Sequence, residues 1–315
     1  MESLINVGWG HTGRMSPQGQ VTMVDVGGRR MRLTSLDKVL YPATGTTKAE
    51  VIDYLVRVSE PLLAQLADRP VTRIRWPHGV GDPQQFFEKN APPGVPRWLR
   101  TARVPAGDGS ITYPLLDDVG SLVWAGNLSA LELHTPQWRL GARGAVKDPD
   151  RLVIDLDPGP GTGLAECAAL AVRVAERLSD DGMECFPVTS GGKGLQLYAP
   201  VSGAQDADVV RGYARRLAES LARDRPREVT ATMTKSVRRG KVLLDWSQNH
   251  GAKTTITPYS LRGRELPTVA APRAWDELDD GLRQLRLDQV LGRFEADGDL
   301  LAAADDAPRP RLPVR

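Results

Sequence analysis

The order of apolar and polar residues predicts short strands separated by amphipathic helices. Runs of three to eight residues that are rich in β-branched side chains or alternate with polar ones predict strands at 71–76, 111–115, 131–134, 137–139, 151–157, 184–189, 195–198, 241–246 and 254–259. Apolar residues that recur every three or four positions predict helices at 47–59, 117–130, 163–178 and 206–223, with one or two more over 275–301. Weaker patterns predict strands at 21–26 and 31–34.

Local signals sharpen two of these elements. Thr47 and Glu50 form a capping box, which predicts that a helix begins there, bends at Pro61 and ends before residue 70. In the strand over 71–76, Arg73 and Arg75 fall on one face, because side chains two residues apart point the same way. That alternation predicts a half-exposed strand.

The strand over 151–157 carries candidate chemistry at its end. Asp155 and Asp157 lie on one face of it, and the turn residues Pro158 and Gly159 follow. Two such carboxylates repel each other, and a divalent cation between them would remove the repulsion. Oxygen ligands suit Mg²⁺ or Mn²⁺. The alternative is that the acids only begin a turn. Asp245, which ends another apolar strand, is the natural third ligand.

Other segments could bind phosphates or bases. Residues 190–194, Ser-Gly-Gly-Lys-Gly, predict a phosphate-binding turn with converging amides, a hydroxyl and an ammonium. Arg262 and Arg264 offer guanidinium groups for bidentate phosphate contacts. Phe86 and Phe87 are adjacent, so both cannot enter one core from one strand face, and they are candidates for stacking on bases. The alternative is that one of them is a core residue.

Composition and charge narrow the function classes. The chain has 315 residues, 41% of them hydrophobic and 25% charged, with a formal net charge of +2. Basic residues concentrate over 225–264 and acidic ones over 276–306, which indicates either a local anion-binding face or a solvated surface. Cys167 and Cys185 are expected to be free thiols in a reducing compartment. No apolar run reaches membrane-spanning length and no signal core is present, so a cytoplasmic protein is expected.

Six motifs in this order closely resemble the polymerase domain of bacterial ATP-dependent DNA ligase D, in the archaeo-eukaryotic primase superfamily. They are Asp-Lys-Val-Leu-Tyr-Pro (37–42), Phe-Phe-Glu-Lys (86–89), Asp-Leu-Asp-Pro-Gly (155–159), Thr-Ser-Gly-Gly-Lys-Gly-Leu (189–195), Asp-Trp-Ser-Gln-Asn (245–249) and Pro-Tyr-Ser-Leu-Arg-Gly-Arg (258–264). The resemblance implies a two-layer α/β (α+β) primase-polymerase core with an RNA-recognition-like antiparallel sheet and an N-terminal α/β module. It covers roughly 31–300 and suggests a stand-alone homologue without ligase and nuclease modules.

The resemblance also implies an activity and assigns roles by matching position. The activity is transfer of NTPs, often ribonucleotides, to a primer 3′-OH at gaps or broken DNA ends, with Ku, a separate ligase, DNA and NTPs or dNTPs as partners. A monomer associated with the nucleoid is expected. The implied roles are two Mn²⁺ or Mg²⁺ ions at Asp155, Asp157 and Asp245; nucleotide binding by His134, Ser190, Lys193, Gly194, Arg238, Gln248 and Arg262; DNA 5′-phosphate binding by Lys38 and Lys48; and template stacking by Phe86 and Phe87.

Some features depart from the family pattern, and two other functions are possible. Ser35 stands where the family often has Asn, and Gln196 where related sequences have His. The first alternative is a non-catalytic protein that binds DNA ends, although three carboxylates without metal would repel DNA. The second is a nucleotide-sugar transferase, in which the third acid and the arginine turn have no evident role. The expected organisation is an extension over 1–27, a module over 28–110, a catalytic core over 111–301 and a disordered tail over 302–315.

Overall fold

The structure, a computed structural model, describes residues 21–314 and contains the strands and helices that the sequence predicts, with additional short ones. Its helices are α1 Lys48–Arg57, α2 Ser59–Leu66, α3 Val119–Asn127, α4 Leu164–Asp180, α5 Ala207–Asp224, α6 Leu287–Asp297 and α7 Ala303–Asp306. Its strands are β1 Val21–Val26, β2 Arg29–Thr34, β3 Val39–Tyr41, β4 Thr46–Thr47, β5 Thr72–Arg75, β6 Phe86–Glu88, β7 Thr101–Ala106, β8 Gly109–Pro114, β9 Ala130–Thr135, β10 Trp138–Leu140, β11 Val146–Pro149, β12 Arg151–Pro158, β13 Phe186–Thr189, β14 Leu195–Pro200, β15 Val229–Thr230, β16 Val242–Leu244, β17 Thr255–Ile256 and β18 Ala271–Pro272.

Two sheets face each other and form the frame of the molecule. The larger has the order β15-β16-β12-β14-β13-β18, and all its neighbours are antiparallel except the parallel pair β15–β16. The smaller has the order β17-β9-β5-β6. Helices α4 and α5 pack on the larger sheet, and α1 and α3 lie with the smaller sheet in a second core. The mixed α/β fold expected from the sequence is confirmed.

Alternation along β12 explains why its acids face the space between the sheets. Leu152, Ile154 and Leu156 enter the core shared with α4 and α5. Val153 belongs to the opposite core. Because successive side chains alternate, Asp155 and Asp157 share the face of Val153, away from the helices. The binding cleft therefore lies between the two sheets.

The smaller sheet contains strands from both sides of the boundary expected near residue 110, between the N-terminal module and the catalytic core. Strands β5 and β6 precede that boundary and β9 and β17 follow it, yet they pair in one sheet. The boundary expected at 27/28 falls in the turn of the β1–β2 hairpin, so the strand expected at 21–26 pairs with the body of the protein. Residues 1–20 of the expected extension lie outside the described residues.

The tail expected to be disordered instead contacts the body of the protein through a few of its residues. Leu312 is buried, and its backbone exchanges two hydrogen bonds with the side chain of Gln205, at 2.6 and 3.0 Å. The Ser202 amide donates to the Pro310 carbonyl at 3.0 Å. The expectation rested on composition, and hydrogen bonds to Ser202 and Gln205, which lie far earlier in the chain, contradict it.

Two further local predictions are corrected by the structure. The capping box at Thr47 is confirmed, but the first helix ends at Arg57 and the bend falls at Val58 rather than Pro61. Pro61 instead lies in the first turn of α2, where a missing N–H costs little. Arg73, expected on a half-exposed face, is fully buried over the Trp124 ring, because Glu88 and the Asn90 carbonyl provide partners for it.

Candidate active site

The three predicted metal ligands meet at the end of β12. Strand β16 pairs antiparallel with β12, Leu156 opposite Leu244. Asp245, one residue beyond Leu244, therefore lies across from Asp155, and its amide donates to the Asp155 carbonyl at 2.8 Å. One carboxylate oxygen from each of Asp155, Asp157 and Asp245 lies within 4.8 Å of the others. Sheet register thus brings together acids about 90 positions apart.

These carboxylates are close enough to disturb one another. Burial and the charge of Asp157 raise the pKa of Asp155 well above its ordinary value, although a hydrogen bond from Gln196 lowers it. Burial and Asp245 also raise the pKa of Asp157, against the charges of Arg238 and Arg262. An oxygen-only cluster that resists ionisation in this way suits a hard divalent cation.

Asp245 has a second, structural role. Its carboxylate accepts the Ser247 amide at 3.0 Å and caps a 3₁₀ helix over Trp246–Asn249. Asp245 therefore begins a turn as well as belonging to the cluster. Asn249 fixes the same helix to β12, since its side-chain amide bonds both the amide and the carbonyl of Val153, at 2.9 and 2.7 Å. The third acid is held from two sides.

Asp155 and Asp157 open onto a cleft of about 300 Å³ between the two sheets. Strand β9 places His134 in its wall and β17 places Thr255 and Ile256 there. Most of the predicted nucleotide-binding residues line the same cleft, namely His134, Ser190, Lys193, Gln248 and Arg262, and Arg264 joins them. Arg238 lies nearby, since its charge acts on Asp157. The cleft therefore combines acids with cationic side chains.

The glycine-rich turn differs from the predicted cradle. The amides of Gly192 and Gly194 both donate to Ser190 Oγ at 3.2 Å, and the Gly191 amide donates to Gln284 at 2.7 Å. Those three amides are thus used within the protein, and the turn offers the Lys193 ammonium and the serine hydroxyl to the cleft. Gly194 is needed for close approach, because a Cβ there would overlap the Leu156 carbonyl.

Glu132 is a site residue that the sequence analysis missed. Its buried carboxylate contacts His134 Nε2 at 2.8 Å, Arg262 Nη1 at 3.4 Å and the Gly263 amide at 3.0 Å. Burial alone would raise the pKa of Glu132, but the His134 hydrogen bond and the Arg262 charge lower it below its usual value. An acid two residues before a histidine on one strand face was the available signal.

The predicted 5′-phosphate residues form a separate cationic site. The Lys48 amide donates to the Lys38 carbonyl at 2.8 Å, so the two lysines are neighbours. Their ammonium groups bond backbone carbonyls, Lys38 that of Pro77 at 2.9 Å and Lys48 that of Thr34 at 2.7 Å. Burial, then Lys38 and Arg75, lower the pKa of Lys48 to about 8. A phosphate there would relieve that repulsion.

Phe86 and Phe87 are both exposed, at 44% and 59%, on the edge strand β6. Phe86 pairs opposite Arg75 and Phe87 opposite Ile74, so the two rings point to opposite faces. Neither ring is a core residue, and the core alternative for this pair is wrong. The exposed edge leaves both rings available for contacts with a ligand.

The antiparallel sheet with its acid cluster and basic cleft is of the kind found in polymerase-type nucleotidyltransferases. Residues 47–301 match the family model described as LigD, primase-polymerase domain. The chain therefore belongs to the LigD primase-polymerase domain family, as the resemblance predicted. Lys48 lies within the matched range and Lys38 before it.

Individual relatives agree with this assignment. The multifunctional non-homologous end joining protein LigD of Mycobacterium bovis is 51% identical over 287 residues, 89% of this chain and 38% of the relative. The bifunctional LigD of Bacillus subtilis is 36% identical over 273 residues, 85% of this chain and 43% of the relative. This chain thus spans about two fifths of those proteins.

A solved structure is similar over nearly its whole length. The polymerase domain from Mycobacterium tuberculosis Ligase D in complex with DNA has a TM-score of 0.85 and 51% identity, over 89% of this chain and 99% of that chain. In the described part of this chain, no helix is both long and apolar enough to cross a membrane.

Proposed function

We propose that this domain is a metal-dependent, DNA-directed nucleotidyltransferase that adds NTPs to a primer 3′-OH at gaps or broken ends during non-homologous end joining. The observation that carries the proposal is the meeting of Asp155, Asp157 and Asp245 beside a cationic cleft. The relatives' names place them in end joining, and the similar solved structure holds DNA. Ribonucleotides are the proposed preferred substrate.

The reaction joins the primer 3′ oxygen to the nucleotide's α-phosphorus and releases pyrophosphate. Two Mn²⁺ or Mg²⁺ ions on the three carboxylates would supply the positive charge that favours ionisation of the hydroxyl and stabilises the leaving group. Lys193 and Arg262 would bind the triphosphate, because both line the cleft beside the acids. Glu132 would hold His134 and Arg262 in place toward it.

The DNA would extend away from the cleft toward the lysine site and the exposed phenylalanines. Lys38 and Lys48 would bind a downstream 5′-phosphate, and Phe86 and Phe87 would stack on the template strand. Ku and a separate ligase are proposed partners, and a monomer bound to DNA in the nucleoid is the proposed working form. The proposed partners follow from the family, and the proposed DNA contacts also follow from the neighbouring Lys38 and Lys48 and from the exposed rings of Phe86 and Phe87.

Primer extension on a gapped duplex tests the reaction. We expect incorporation with Mn²⁺ or Mg²⁺, none with EDTA, and more from NTPs than from dNTPs. Asp157→Ala should abolish it while DNA binding persists. Equal incorporation by Asp157→Ala would overturn the catalytic assignment. Tight DNA binding in EDTA, with no incorporation under either metal, would favour the non-catalytic end-binding alternative instead.

A further inference from the structure

The two candidate anion sites are joined by a short chain of contacts. Strand β3 begins directly after Lys38 and ends at Tyr41. The Tyr41 side chain is fully buried, and its hydroxyl donates to the Arg262 carbonyl at 2.8 Å. Among the described residues, this hydroxyl is the one group that donates to that carbonyl. The segment that carries one site therefore supports the backbone of the other.

A second contact runs in parallel through residues 76 and 77. Lys38 Nζ donates to the Pro77 carbonyl at 2.9 Å. The adjacent Trp76 ring lies against Gly263 so closely that a Cβ at position 263 would overlap it. The Lys38 ammonium has donors beyond the one bonded to Pro77, so a phosphate bound there would be linked through it to the segment that packs against the arginine turn over 260–264.

Glu132 also holds the arginine turn in place, from the side of the cleft. Glu132 accepts the Gly263 amide at 3.0 Å and contacts the Arg262 guanidinium at 3.4 Å. Small shifts of the Arg262 backbone would therefore be transmitted to its side chain in the nucleotide cleft. Burial, then Glu132, raise the pKa of Tyr41 well above its usual value, so its hydroxyl remains a donor.

We propose that Tyr41 is a positioning residue that couples the two anion sites, so that a 5′-phosphate on Lys38 and Lys48 tightens nucleotide binding at Arg262. The inference rests on the proposed function. A coupling of this kind is reciprocal, so bound nucleotide should tighten binding of the 5′-phosphate by the same factor. Both directions can be measured at equilibrium, without turnover.

The test measures the Kd of two labelled gapped duplexes, one with a downstream 5′-phosphate and one with a 5′-hydroxyl. Each Kd is measured with and without an NTP analogue that has a methylene between its α- and β-phosphates. For the wild type we expect the analogue to lower the Kd of the 5′-phosphate duplex about fivefold or more, beyond any effect on the 5′-hydroxyl duplex. Tyr41→Phe keeps the ring, so without nucleotide it should bind both duplexes with the wild-type Kd. It should lose the additional tightening that the analogue gives to the 5′-phosphate duplex.

Turnover supplies an independent readout. On the 5′-phosphate gap, Tyr41→Phe should raise the KM for NTP about fivefold, with kcat at saturating NTP unchanged. On the 5′-hydroxyl gap the variant and the wild type should differ less. Tyr213→Phe is the matched control. Tyr213 is a buried tyrosine on helix α5 whose hydroxyl donates to Asp181 at 2.7 Å, and the variant should keep wild-type coupling.

The outcomes separate this inference from the proposed function. A wild type that incorporates no nucleotide overturns the function. A wild type that incorporates nucleotide without coupling, or a Tyr41→Phe variant that keeps it, overturns only the role of Tyr41. If Tyr41→Phe loses its thermal transition, Trp76→Phe tests the parallel contact, and unchanged coupling in that variant counts against the inference.

Discussion

Strand β12 carries a cluster of buried charge at each end, and the two clusters are built differently. At its start, Asp150 accepts hydrogen bonds from Arg69 at 2.6 Å and from Arg139 at 2.7 Å. Arg151 donates to Gln137 at 2.6 Å and lies over the Tyr198 ring. Burial alone would raise the pKa of Asp150, but the neighbouring arginines lower it. Both carboxylate oxygens of Asp150 therefore accept from arginines, so the acid at this end has its counter-charges within the protein.

At the other end, three acids meet with few donors. Gln196 donates to Asp155 at 3.0 Å, and Asp245 receives bonds from its own turn. Within the described residues, no hydrogen bond reaches the Asp157 carboxylate, and the pKa of that group is raised. Matched buried charge stabilises a fold, whereas unmatched buried charge marks a place that a ligand completes.

The largest expected effect is on catalysis at the unmatched end. Asp157→Asn keeps the shape but removes one ligand charge, so incorporation should fall about a thousandfold, or about 4 kcal/mol in activation free energy. The free energy of unfolding in EDTA should stay constant or rise, because a repulsive charge is lost. Single-turnover extension and urea unfolding measure the two effects. Asp180→Asn, exposed on α4, is the control, and a clear loss of stability in Asp157→Asn would contradict the comparison.

The matched end should respond in the opposite way. Asp150→Asn leaves Arg69 and Arg139 without a counter-charge, so the free energy of unfolding should fall by about 3 kcal/mol, measured in urea at neutral pH. Because the folded-state pKa of Asp150 is lowered, its contribution is present above the unfolded value and is lost as pH falls through the folded value. The difference between variant and wild type should therefore shrink in acid. A variant as stable as the wild type would show that these ion pairs add nothing.

Added metal should stabilise the protein through the acid cluster at the end of β12, by an amount that depends on pH. Since the folded-state pKa values of Asp155 and Asp157 lie above the unfolded ones, the protein without metal loses stability as pH rises across that window. Mn²⁺ displaces those protons, so its stabilisation should grow over the same window. At about 100-fold excess over Kd it should reach about 2.7 kcal/mol. Melting temperatures with EDTA or Mn²⁺ measure this, and a pH-independent Mn²⁺ effect would contradict it.

The acid cluster could be predicted from the sequence because it depends on strand alternation and strand ends. Predicting that Asp155 and Asp157 lie together required only the two-residue repeat of a strand. Predicting Asp245 as the third ligand required a second apolar strand that ends in an acid. Glu132 and Gln196 were not assigned roles. Gln196 on β14 donates to Asp155 on β12, and Glu132 on β9 contacts Arg262 in the arginine turn, and these elements meet only in the folded chain. The one local signal was the position of Glu132 two residues before His134. Long-range pairing of this kind leaves no local pattern.

Buried arginine was the other failure of sequence reasoning. Alternation placed Arg73 and Arg75 on one face correctly, and Glu88 on the paired strand contacts both. The same alternation suggested exposure, because charged residues are rarely buried without partners. The partner lies on β6, whose pairing with β5 was not foreseen. The prediction of a disordered tail was wrong for the same reason. Composition cannot show that the Leu312 amide donates a hydrogen bond to the side chain of Gln205.

The smallest expected effect concerns Gln196, the one side chain outside the acid cluster and its turn that donates to the three acids within the described residues. Its carbonyl lies 2.9 Å from the Tyr198 hydroxyl, which orients the amide toward Asp155. Gln196→Leu removes that donor, so the pKa of Asp155 should rise further and the acid limb of the pH–rate profile should move up by about one unit, or about 1.4 kcal/mol. Gln196→His, which can still donate, should restore much of the wild-type profile. An unshifted profile for Gln196→Leu would mean that Asp155 is tuned by burial and its acidic neighbours alone.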